Sequence, residues 1–178
     1  MLLDVLKTAS RPAFLAAIVS LVAVKGIDSM HLGGPQPRSN TASAMTRPAP
    51  APATGGGYMI LEGNQAGHFQ TDVQVEGVSL KMLGDTGATA VTLSAEDADR
   101  AGIHPFPSDY TVAVNTANGV TQVARVELHQ VSVGPITVRD VPALVMQPGA
   151  SSVSLLGMTF LQRLSSFQVA DNRLVLKP

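Results

Sequence analysis

Across residues 58–178, apolar side chains recur at every second position in short runs broken by turn residues. Phe69, Thr71, Val73 and Val75 alternate with His68, Gln70, Asp72 and Gln74, which is the period of a strand with one face buried. Glu76-Gly77 reads as a tight turn, and residues 78–83 return as the hairpin partner. Residues 58–61 predict an earlier strand, and Ala-Val-Thr-Leu at 90–93 predicts a later one. The pattern then changes. Ser94 suits a helix N-cap, Glu96, Asp97 and Asp99 favour the positive end of a helix dipole, and Gly102 suits the stop, so one short helix is expected.

Residues 110–115 and 120–133 flank Thr116-Ala117-Asn118-Gly119, and Asn-Gly between two β-rich runs is a strong hairpin signal. In the second arm Val126 and Leu128 share one phase while Val131 and Val133 share the other, so a bulge or bend near His129-Gln130 is expected. Residues 136–138 and 141–146 read as two further strands. Leu155-Leu156-Gly157 leads into a short helix over 158–164, and strands at 167–169 and 174–176 close around Asp171-Asn172. Many short strands with regular turns make the class all-β, a small barrel or sandwich.

Composition adds an N-terminal appendage. Residues 12–24 carry no charge, with Lys7 and Arg11 before them and Lys25 and Asp28 after. The run is short against the ~20 residues that cross a bilayer squarely, and it matches the apolar core of a signal sequence. The nearest Ala-x-Ala, Ala42-Ser43-Ala44, lies well beyond it, which favours an uncleaved signal anchor (1–32) over a removed signal peptide. The basic residues before the run point the N-terminus inward and the remainder across the membrane. Residues 33–57 are rich in Pro and Gly and read as an extended, mobile linker, which leaves 58–178 as the folded domain. The net charge of −1 and the lack of a basic run speak against nucleic-acid binding. With no cysteine there is no disulfide or thiolate metal site. The four histidines are scattered without ligand spacing, so no metal site and no cofactor is expected.

One stretch carries candidate chemistry. Residues 81–93 read K-M-L-G-D-T-G-A-T-A-V-T-L, a strand that delivers Asp85 into a turn and leaves as another strand. Gly87 relieves the turn of Cβ clashes and opens its N–H to the carboxylate, and Thr86 offers a hydroxyl. By itself the tripeptide is usually an ordinary turn, since Asp and Gly dominate turns for conformational reasons. Its surroundings narrow the reading. D-T-G-A-T at 85–89, L-S-A-E-D-A at 93–98, T-A-N-G at 116–119 and S-L-L-G-M-T-F-L-Q-R-L at 154–164 occur in one order over 58–178. Together they resemble the retropepsin-like aspartic proteases, particularly the bacterial membrane-anchored single-domain branch. One departure is Gly84, where that family usually has a bulky aliphatic residue before the Asp.

The resemblance implies a closed β barrel with one or two short helices, preceded here by the transmembrane segment. It also implies an aspartic endopeptidase in which two carboxylates share a proton and activate one water. The chain holds one Asp-Thr-Gly, so the pair requires a second copy related by a two-fold axis. By the resemblance Asp85 of each protomer is catalytic, Thr86 makes hydrogen bonds across the homodimer, and Gly87 and Ala88 shape the loop. Thr116, Ala117, Asn118 and Gly119 would be a flap over a peptide or protein substrate. Leu155, Leu156 and Gly157 would support the loop from beneath, although by local sequence they are equally a plain core strand. The implied place is the bacterial inner membrane, with the domain in the periplasm. Two other readings stay open: an inactive dimerisation or peptide-binding module of this fold, and an exported structural β domain in which Asp85 merely ends a strand.

Overall fold

The computed structural model describes residues 51–116 and 119–178. The apolar run at 12–24, the expected anchor and most of the linker lie outside the described residues. Among the described residues, no helix is long and apolar enough to cross a membrane.

The alternating segments form strands close to where the pattern placed them. They are β1 (Met59–Glu62), β2 (Phe69–Val75), β3 (Val78–Gly84) and β4 (Val91–Leu93). Helix α1 (Ala95–Arg100) and a 3-10 turn at Pro107–Asp109 follow. Then come β5 (Tyr110–Thr116), β6 (Gly119–Val133), β7 (Ile136–Met146) and β8 (Ser154–Leu156). Helix α2 (Met158–Leu161), β9 (Ser166–Ala170) and β10 (Arg173–Lys177) complete the chain. Local chemistry accounts for several boundaries. The Ser94 side chain accepts from the Asp97 N–H as N-cap of α1, and Gly102, just beyond the helix, has φ +75°. Glu76 and Gly77 both have positive φ, as do Asp171 and Asn172, which suits the right-handed twist of the two hairpins they close.

Strands β2, β3, β8, β4, β7 and β6 are hydrogen-bonded in that order, and β6 pairs back to β2 at Gln74↔Ser132 and Val75↔Val131. The ring is therefore closed, leaving no open edge within it. Two of its joints, β3–β8 and β4–β7, are parallel. Strand β5 hangs on β6 outside the ring, while β1, β10 and β9 make a separate three-stranded sheet. Inward residues of both layers, among them Val73, Leu80, Leu128, Val138, Phe160 and Leu174, are completely buried in one core. Each such side chain contributes about 1.5–3 kcal/mol of transfer free energy.

Two expectations are corrected, the division of residues 136–146 into two strands and the free end of the linker. The bulge or bend expected near His129-Gln130 is a bend: the β6–β7 register runs unshifted from Val123↔Met146 to Val133↔Ile136, so no bulge interrupts it. The phase nevertheless switches, because both strands turn over together: His129 and Gln130 lie between buried Leu128 and Val131, and Arg139 and Asp140 lie between buried Val138 and Val141. Asp140 takes φ +52° at this bend, which lets β7 run continuously where two strands were expected. The register irregularity falls instead between Tyr110 and Val112 of β5.

The second correction concerns the end of the linker. Residues 51–54 form a strap bonded to the domain, not a free chain. Ala53 N–H donates to the Arg163 carbonyl at 3.0 Å, and Thr54 and Thr137 exchange N–H···O bonds at 2.8 Å each way. Gly55 passes so near the β6–β7 turn that a Cβ there would sit 2.1 Å from the Pro135 carbonyl oxygen, at φ +137°. Glycine serves close approach here, where composition alone suggested flexibility.

Candidate active site

Strand β3 ends at Gly84 and hands the chain to Asp85, which is half-buried, while Thr86 and Gly87 are exposed. The loop is tied to itself and to the strand beneath. Gly87 N–H donates to Asp85 Oδ1 at 2.8 Å, and Ala88 N–H donates to the Asp85 carbonyl at 3.2 Å. Asp85 N–H in turn donates to the Leu156 carbonyl at 3.2 Å. A Cβ on Gly87 would lie 3.1 Å from Asp85 Oδ1, so glycine at this position leaves room for the carboxylate to take the backbone N–H. A charge-assisted bond of this kind fixes the carboxylate's orientation.

Leu155, Leu156 and Gly157 sit beneath that loop. Strand β8 lies between β3 and β4, pairing in parallel at Leu83↔Leu155 and Gly84↔Leu156 and antiparallel at Thr92↔Leu155. The loop thus leaves β3, passes over β8, and returns as β4 on its other side. Gly157 is where the crossing is tightest, since a Cβ there would stand 2.2 Å from the Ala90 carbonyl oxygen and 2.8 Å from that of Ala88. The opening of α2 then grips the loop. Met158 N–H donates to the Ala88 carbonyl at 2.9 Å, and Val91 N–H donates to Thr159 Oγ1 at 2.8 Å. Ala88 is buried under the loop. Thr159 lies within the 154–164 motif, but nothing in its local pattern singles it out for this contact.

Gly84 has a packing reason. A Cβ there would meet Leu174 Cδ2 at 2.9 Å and Phe69 Cβ at 3.5 Å. Fully buried Leu174 fills the volume over the strand end that a bulky residue at 84 would otherwise claim.

The β5–β6 hairpin stands off the barrel. Strand β5 has no fully buried residue, Thr116 pairs with Gly119, and Thr116 Oγ1 donates to the Gly119 carbonyl at 2.8 Å. Val120, beside Gly119, is 71% exposed. Ala117 and Asn118, which complete the expected flap tip, lie outside the described residues.

A cavity of about 490 Å³ opens between α1, β2 and β3, lined among others by Gln70, Asp72, Lys81, Asp97 and Arg100. Asp85 is not among its lining residues.

The barrel agrees with what comparison finds. Residues 71–163 match the family described as "gag-polyprotein putative aspartyl protease". The chain is similar to the crystal structure of a retropepsin-like aspartic protease from Rickettsia conorii, with 32% identity and a TM-score of 0.60 over 67% of this chain and 98% of that one. It is 41% identical over 119 residues to an uncharacterized protein of a Sinorhizobium species, and 32% identical over 120 residues to one of Rickettsia prowazekii (strain Madrid E). Each alignment covers 67% of this chain and 51% of the relative, so the chain spans about half the length of the curated relatives it matches. The protein belongs to the retropepsin-like aspartic proteases.

Proposed function

We propose that the protein is an aspartic endopeptidase whose two working carboxylates are the Asp85 side chains of two copies. The observation that carries this reading is the Asp85 loop, a half-buried carboxylate held by the Gly87 N–H at a crossing braced from below. Each chain has one Asp-Thr-Gly, so a two-fold axis near Asp85 would bring a pair together. Two facing carboxylates divide the labour by sharing a proton: the charged member takes a proton from the attacking water, and the protonated member gives one to the peptide carbonyl oxygen or leaving amine. The exposed Thr86 hydroxyl would bond across the dimer. The projecting β5–β6 hairpin, with Thr116 and Gly119 at its described end and Ala117 and Asn118 between them in sequence, would close over an extended peptide and shield the reaction from water. The apolar run at 12–24 supports anchorage in the bacterial inner membrane, with this domain outside the cytoplasm.

The test is cleavage of an unstructured peptide library by the purified chain beside Asp85→Asn, with the oligomeric state measured on the same samples. Cleavage by a dimer that disappears in Asp85→Asn is the expected result. Cleavage that survives the substitution, or that belongs to a monomer, overturns the mechanism. A dimer that binds peptides without cutting them would establish the binding-module reading instead.

A further inference from the structure

We propose that Arg163 is a positioning residue that joins the strap at 51–54 to the helix bracing the Asp85 loop, so that the docked strap is part of the working site. The inference rests on the proposed catalytic role of that loop. Helix α2 is short and has a partner at each end. Its first residues hold the loop, with Met158 N–H donating to the Ala88 carbonyl and Thr159 Oγ1 accepting from the Val91 N–H. Just past its last turn, Arg163 Nη1 donates to the Ala51 carbonyl at 2.8 Å and Nη2 donates to the Asp140 carbonyl at 3.0 Å. The Arg163 carbonyl accepts from Ala53 N–H at 3.0 Å.

One guanidinium therefore spans the strap and the bend of β7, while its own backbone holds the strap a second time. Between the two ends, Phe160 and Leu161 are fully buried. Close-packed interiors transmit a displacement and do not absorb it, so a shift of Arg163 reaches Ala88 and Val91 through less than two turns of helix. The strap has its own anchors in the Thr54–Thr137 bridge and the close passage of Gly55 over Pro135. These contacts would be superfluous in a tether whose only task is to connect.

Two variants in the full chain separate this from a merely structural role. Arg163→Lys keeps the charge but loses the planar fork that reaches two carbonyls. Gly55→Ala places its Cβ against Pro135 and acts on the strap without altering α2. Amide hydrogen exchange at Ala53, Val91 and Met158 is measured along with kcat and KM on a cleaved peptide. In both variants exchange should accelerate at all three amides while Val131, in the β6–β7 ladder, keeps its protection. The rate kcat should fall by about tenfold or more with KM nearly unchanged, as expected for a small misalignment of the reacting groups. Faster exchange at Ala53 with Val91 and Met158 unaltered overturns the coupling, and so does unaltered exchange at Ala53 in Arg163→Lys. Lack of Asp85-dependent cleavage in the unsubstituted chain would overturn the catalytic reading, and the exchange at Val91 and Met158 would still decide whether the strap positions the loop.

Discussion

The Ser154 hydroxyl donates a 2.6 Å hydrogen bond to Asp97 Oδ2 and accepts a 3.0 Å bond from the Ser94 N–H. Ser154 begins the strand that supports the Asp85 loop, whereas Ser94 and Asp97 open α1, so one wholly buried hydroxyl joins the two. Arg100 extends the link by donating to Asp97 Oδ1 and to the Ser79 carbonyl of β3. Ser154→Ala would leave the Ser94 N–H without this partner and remove a donor from Asp97. We expect a loss of about 2–3 kcal/mol in urea unfolding, the penalty for stranding buried polar groups. A change within about 0.5 kcal/mol, the range of ordinary surface substitutions, would show that the network carries no weight.

Gly157→Ala tests the crossing itself. Its Cβ would strike backbone atoms of Ala88 and Ala90, which have no rotamer with which to yield. Expected outcomes are destabilisation of about 1–3 kcal/mol by overpacking and a still larger fall in peptide cleavage, since the displaced atoms belong to the Asp85 loop. Wild-type stability and activity in this variant would place the tight approach outside the working structure.

At Gly84 the neighbour is the movable end of a side chain. Gly84→Ala should cost less than about 1.5 kcal/mol because Leu174 can shift its Cδ2, whereas Leu174→Ala should cost about 2–5 kcal/mol through the cavity it leaves. In the double variant the new methyl group enters vacated space, so the two effects should be clearly less than additive. Strict additivity in a thermal or chemical unfolding cycle would mean that these positions do not share a volume.

The paired-carboxylate mechanism fixes a direction with pH. Activity requires one protonated and one ionised member, so kcat/KM should decline on the alkaline side as both ionise. A rate that keeps rising into strongly alkaline solution would be incompatible with an Asp85 pair.

The short-range features were readable from the chain alone. Period-two alternation places the side chains of residues 69–75 on alternate faces whatever they pack against, and Glu76-Gly77 and Asp171-Asn172 determine their hairpins through the φ values they tolerate. Ser94 and Gly102 bound α1 for equally local reasons, and the order of the four motifs located the Asp85 loop. Partnerships across the fold were not readable in this way. Periodicity records the phase of a strand but not its neighbour, so the parallel joints β3–β8 and β4–β7 and the closure at Val75↔Val131 emerge only when distant apolar faces are buried together. The glycines show the same division. Locally Gly55, Gly84 and Gly157 could mean flexibility, a loosened strand end or a plain core strand. Their actual reasons are the Pro135 carbonyl, the Leu174 side chain and the Ala90 carbonyl, atoms far away in sequence that only tertiary packing brings within contact distance.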